Sequence, residues 1–131
     1  MAPTANAQDR GCSNTTLRGT YTQNYTGFNV SGSSITPVAA VVALTFDGYG
    51  VVTGARAAGQ NGNILNPAIQ TGTYTVNPDC TGSYTVMGAS GHTFHYFFVI
   101  GDNGNELRAI STDPGKVFSG GGRKLFPGEE F

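Results

Sequence analysis

Charge is what this chain has least of. Asp, Glu, Lys and Arg together make up 11% of it, against about a quarter in an ordinary soluble domain. The formal net charge is −1, so no field of one sign draws nucleic acid or an anionic membrane surface, and neither is expected as a partner. Long apolar runs are missing as well. The longest, Val38 to Leu44, has the length of a strand and falls far short of a membrane span. There is no CxxC pair, no HExxH, no Gly-x-Ser-x-Gly and no phosphate-binding loop. Those absences remove the usual signatures of a zinc site, a serine hydrolase or a nucleotide enzyme, and no cofactor or metal is expected. Residues Met1 to Gln8 lack the apolar core of a signal peptide. They read as a mature N-terminus with an added Met, the targeting segment having been removed.

What fills the gap is glycine, 20 of 131 residues, with abundant Thr, Asn, Ser and Tyr. The length is that of one domain, and the composition is that of a secreted or periplasmic β-protein. Cys12 and Cys80 are the two cysteines. In an oxidising compartment they form one disulfide tying the N-terminal segment to a hairpin tip, which would restrict the unfolded chain by roughly 4 kcal/mol in the entropy model. The alternative is two free thiols. Asn14, Asn24 and Asn29 head Asn-x-Ser/Thr triplets, which acquire meaning only in a eukaryotic secretory route.

The stretch His92 to Ile100 organises the chain. It is aromatic and β-branched, bounded by Gly91 and by Gly101-Asp102-Asn103-Gly104, and suits a pleated strand. Its two faces, His92/Phe94/Tyr96/Phe98/Ile100 and Thr93/His95/Phe97/Val99, are both largely apolar, so both need cover. Further strands are predicted over Leu17–Tyr25, Val38–Phe46, Val51–Gln60, Ile69–Asn77, Ser83–Met87 and Glu106–Ser111. An eighth begins at Lys116–Phe118, before Gly120-Gly121-Gly122 allows a bulge or bend. Thr26–Pro37 reads as a long loop or lid, and Asn61–Pro67 as a turn or short loop. The expectation is all-β: an eight-stranded up-and-down antiparallel barrel, with a two-sheet sandwich as competitor. The predicted division is a flexible segment over 1–15, the barrel over 16–126 and a short tail over 127–131.

Three patterns carry a resemblance: Cys12 followed by Leu17-Arg18-Gly19-Thr20-Tyr21; Leu44-Thr45-Phe46-Asp47-Gly48-Tyr49-Gly50-Val51-Val52-Thr53-Gly54; and Gly72-Thr73-Tyr74-Thr75-Val76-Asn77-Pro78-Asp79-Cys80-Thr81-Gly82. In them the chain resembles small exported bacterial β-barrel proteins of largely unknown function. More distantly it is similar to the calycin-like barrels, of the lipocalin, avidin and allene oxide cyclase types. That resemblance implies a closed barrel with a central cavity. Avidins and lipocalins carry tryptophans at the ligand site or barrel base; this chain has none, which argues against biotin.

Tyr21, Arg56, Tyr74, Tyr96 and Phe98 are the expected ligand-lining residues. The phenols offer an apolar body with a polar handle, or simply fill the barrel. Arg56 sits mid-strand with no evident carboxylate partner and would meet a ligand anion. Arg108 and Glu106 instead read as a surface pair. His92 and His95 are three apart on a strand and face opposite ways, so they cannot grip one metal. His95, with Tyr96 and Arg56, is the candidate acid/base group of a barrel enzyme; its structural alternative is an interface or core histidine. The first expectation is a barrel binding a small, partly apolar ligand in its central cavity. The alternatives are a cyclase- or isomerase-type enzyme acting on a flexible apolar substrate, or a structural, self-associating protein. Val41, Ala43, His95, Phe97 and Val99 are expected to face outward and to join a homo-oligomer.

Overall fold

The computed structural model describes residues 9–88 and 91–126, leaving aside the side chains of 65 and 66. Eight antiparallel strands form one closed ring in sequence order: β1 (Arg18–Ser31), β2 (Ser34–Asp47), β3 (Val51–Gln60), β4 (Asn63–Val76), β5 (Thr81–Gly88), β6 (Thr93–Gly101), β7 (Glu106–Ser111) and β8 (Lys116–Lys124). The barrel rather than the sandwich is therefore the fold. β8 closes it by pairing with β7 on one side and with β1 on the other.

The alternation along each strand sorts core from solvent. Leu17, just ahead of β1, and Gly19, Tyr21, Gln23 and Tyr25 of β1 point inward and are buried; on β6, Tyr96, Phe98 and Ile100 do so, while His95, Phe97 and Val99 face out. Val41 and Ala43 of β2 also face out, as the sequence predicts.

Three expectations are corrected. Thr26–Pro37 is not a lid: β1 and β2 continue through it, from Arg18↔Asp47 to Ser31↔Ser34, and turn on Gly32-Ser33. Gly32 has φ of 60°, which a two-residue hairpin turn needs at its first central position. Asn61–Pro67 is not a loop either. Asn61 and Gly62, at φ 51° and 79°, form the tight turn, and β4 starts at Asn63. The ladder shifts between Arg56↔Ala68 and Ala58↔Leu65, a bulge that places Pro67 where no backbone donor is required. Finally, Gly120-Gly121-Gly122 makes no bend but runs inside β8. A Cβ on Gly120 would lie 1.9 Å from the Asn24 carbonyl oxygen and one on Gly122 1.6 Å from that of Thr22, so these glycines let β8 approach β1 closely.

Candidate functional site

The two ends of the barrel differ in chemistry. One end carries the β2–β3, β4–β5 and β6–β7 turns and is sealed by the N-terminal segment. A 3₁₀ turn at Asn14–Thr16 lies over it, and a Cys12–Cys80 disulfide with Cα atoms 5.1 Å apart fixes that segment to the β4–β5 turn. Backbone N–H groups of Arg10 and Cys12 donate to the Pro78 carbonyl at 2.8 and 3.3 Å. The Tyr74 hydroxyl lies 2.8 Å from the Leu17 carbonyl and 3.0 Å from that of Asn14, and accepts the Gly48 N–H at 2.8 Å. Tyr21 donates to the Gly104 carbonyl across the same end. Burial pushes the Tyr21 hydroxyl up to about 12.

Above this seal the barrel is filled with rings. Phe46 packs edge-on against Tyr21, Tyr74 and Tyr84 at 5.6, 5.0 and 5.9 Å. Tyr84 stacks on Tyr96 at 4.9 Å and on Phe98 at 6.2 Å, and Tyr96 meets Tyr25 at 5.2 Å. The Tyr84 hydroxyl is 3.0 Å from that of Tyr25, which donates to Gln23 Oε1. Burial raises both phenols well above the ordinary tyrosine range. Of the expected ligand-lining residues, Tyr21, Tyr74 and Phe98 thus face inward but are core, sealed from solvent at 0%, 4% and 0% exposure.

The other end is built from the β1–β2, β3–β4, β5–β6 and β7–β8 turns, and the side chains around its mouth change character. Thr36, Gln60, Phe94, Ser111 and Lys116 are half-buried where the next inward residues of their strands, Val38, Ala58, Tyr96, Ala109 and Phe118, are buried; Asn29 and Arg56 are half-buried as well. Asn29 Nδ2 donates to Gln60 Oε1 at 2.9 Å, bridging over β2. Arg56 Cζ lies 4.8 Å from the centroid of the Phe94 ring, and Lys116 Nζ 5.8 Å from the same centroid, both within cation–π reach. The Tyr96 hydroxyl is raised by burial, with the Arg56 cation pulling against that shift. Tyr96, singled out in the sequence with Arg56, belongs to the buried ring layer, with the Arg56 cation near enough to act on its hydroxyl. Phe94 and Lys116 join Arg56 at the mouth without having been singled out as site residues, and Gln23 lies buried on the same inward face. Gln70, 3% exposed, is a further polar residue of the inward face.

The three candidate catalytic residues do not converge. His95 lies on the outer wall of β6, its side chain 52% exposed, with Nδ1 2.7 Å from Asp113 Oδ1, while Tyr96 and Arg56 are inside. The Asp113 carboxyl also accepts the His95 backbone N–H at 2.9 Å. Burial pushes Asp113 up, but the His95 backbone and ring together hold it below the usual carboxylate value. His92 stands exposed beside the β5–β6 turn. Arg108 and Glu106 form the expected surface pair at 3.6 Å. Asp47 and Asp79 bind backbone N–H groups of their own turns. Among the described residues no group of three or more metal-ligating side chains comes together.

The outer wall has relief of its own. A groove of about 600 Å³ crosses β1, β6, β7 and β8, with Phe97, Val99 and Ile110 beside the glycine triplet. A second, about 500 Å³, crosses β1 to β4 past Val41, Ala43 and Pro67. No protein-family model, no curated protein and no solved structure matches the chain.

Proposed function

We propose that the protein is an exported binding barrel that takes a small, partly apolar ligand at its polar end. One observation carries this reading. The inward face is mostly apolar and aromatic from the seal upward, with Gln23 and Gln70 as buried polar residues, yet at one end it becomes half-exposed and polar around the Phe94 ring. A rim of a few polar groups around an apolar floor is how small-molecule sites are composed. The ligand site is the mouth, above the Tyr25–Tyr96 layer, rather than a cavity along the whole axis. Export fits the Cys12–Cys80 disulfide, a bond that persists in oxidising compartments.

The chain has no tryptophan, so Phe94→Trp installs a single indole reporter at the mouth. Its emission is expected to be accessible to acrylamide and to fall on addition of N-phenylnaphthylamine, through energy transfer. A Phe98→Trp reporter in the filled interior is expected to be shielded from acrylamide. Equal shielding of the two indoles, with no response to the dye at position 94, would refute an open binding end.

A second reading, self-association, rests on the outer wall. Phe97, Val99 and Ile110 are 42%, 47% and 46% exposed, and Phe97 and Ile110 are directly paired across β6 and β7. Neighbouring exposed apolar side chains of this size mark contact surfaces more often than single ones do. The two readings use different surfaces and are compatible.

A further inference from the structure

Among the described residues, two buried hydrogen-bond donors of the inward face find no acceptor. Gln23 is 4% exposed. Its Oε1 is taken by the Tyr25 hydroxyl. Its Nε2 is buried with no partner, and so is Arg56 Nε. The register sets Gln23 beside Val42 and Val42 beside Arg56, so the two orphan donors stand two strands apart on the inward face. Among the described residues no carboxylate pairs with Arg56. Lys116 adds a second cation to the same ring. Asp113 is the acid whose field reaches Tyr96 and Lys116, and its oxygens are engaged by His95. Asp47, Asp79 and Asp102 belong to the turns of the sealed end. Buried donors without acceptors, and a cation without a counter-ion in a low-dielectric setting, are both costly. Water would supply an acceptor but no charge; an oxyanion supplies both.

We infer that the polar end is an oxyanion site. Its ligand carries a carboxylate or sulfonate head that sits against Arg56, with Lys116 as second cation, and an apolar body that lies on Phe94. This rests on the reading that ligand enters at that end, and it adds the class of ligand. Arg56 suits the task because its planar guanidinium stacks on an aromatic ring while presenting N–H groups to a carboxylate or sulfonate.

The test compares two dyes that share an aromatic body: anilinonaphthalene sulfonate, an anion, and N-phenylnaphthylamine, which is neutral. In the wild-type protein the anion is expected to bind tighter, and Arg56→Met to weaken it by about tenfold while shifting the neutral dye by less than about twofold. Lys116→Met is expected to act in the same direction with a smaller effect. Phe94→Ala weakens both dyes, and Phe97→Ser on the outer wall weakens neither. Because Arg56→Met could disturb folding, the wild type is also titrated at rising salt, where the anion is expected to lose affinity and the neutral dye to keep it. If both dyes bind equally, insensitive to salt and to Arg56→Met, yet both weaken in Phe94→Ala, the oxyanion assignment is overturned and the open-end reading stands. If neither dye responds to Phe94→Ala or to Arg56→Met, both fall.

Discussion

Tyr74→Phe removes one oxygen and nothing else, and that oxygen holds the sealed end together. It accepts the N–H of Gly48, a buried turn residue, and donates toward the carbonyls of Leu17 and Asn14, on the segment that closes the barrel. Phenylalanine fits the same space, so the edge-on contact with Phe46 survives. What is lost is one donated bond, worth about 0.5–1.5 kcal/mol net, and the satisfaction of the buried Gly48 N–H, whose loss costs about 1–3 kcal/mol. The expected destabilisation is therefore about 1.5–4.5 kcal/mol, or a fall in Tm of roughly 10 °C for a domain of this size. Urea unfolding followed by far-ultraviolet circular dichroism measures it, with Tyr49→Phe, 76% exposed, as the silent control. The disulfide fastens the same segment, so the cost of Tyr74→Phe should shrink when Cys12 and Cys80 are both serine. That is a coupling in the range of about 0.5–3 kcal/mol found for residues sharing one structural unit. A loss below about 0.5 kcal/mol in the oxidised protein, or strict additivity with the double serine variant, would show that the N-terminal segment is not what seals this end.

Three further outcomes are expected. Reducing the Cys12–Cys80 bond opens a loop spanning 68 positions and should lower stability by about 4 kcal/mol; native thiol labelling without reductant should find neither cysteine. Asp113→Asn should lower stability at neutral pH and flatten the acid side of the stability profile. The folded carboxyl lies below its unfolded value, so its contribution is present above about pH 4 and lost as pH falls through the folded pKa, and the gap between wild type and variant should close in that acid range and stay open at neutrality. Phe97→Glu should convert an oligomer to monomer without unfolding the barrel, as read by light scattering at high concentration. A wild type that is already monomeric there would remove the self-association reading.

The faces of the strands were legible in the sequence because alternation has period two and the buried set is uniformly apolar or aromatic. Tyr96, Phe98 and Ile100 on one side of β6, and Phe97 and Val99 on the other, follow from parity alone. The ends of the strands were not legible. Thr26–Pro37 is rich in Gly, Ser and Asn because both its faces meet solvent near the hairpin tip, so its composition matches that of a loop although its hydrogen bonds are those of a strand. Asn61-Gly62 is a strong hairpin signal; Pro67 masked it, since a proline argues against a strand unless a bulge receives it. Arg56 stood out as a cation on an inward position with no acid nearby in the chain. Gln23 carried the same kind of signal, a carboxamide among Leu17, Gly19, Tyr21 and Tyr25. Phe94 and Lys116 carried none, because their meeting with Arg56 is made across the barrel and not along any strand.

The glycine content, read in the sequence as the composition of an exported β-protein, is also the reason the barrel is filled. Large inward side chains are paired across the sheet with inward glycines: Phe46 with Gly19, Leu44 with Gly54, Val86 with Gly72, Phe98 with Gly82, and Tyr25 with Gly120. A Cβ on Gly82 would lie 2.5 Å from Phe98 Cζ, so the missing side chain is the room the ring occupies. Alternating large with small residues is how a barrel of eight strands accommodates rings in an interior too narrow for them side by side. Toward the polar end Gly27 still faces the Phe118 ring, but Asn29 is paired with Lys116, Arg56 with Val42 and Phe94 with Val86, none of them with a glycine. The same rule that packs the lower barrel thus leaves Phe94 with polar neighbours and one half-exposed edge of the core, which is where a ligand's apolar body has a surface to meet.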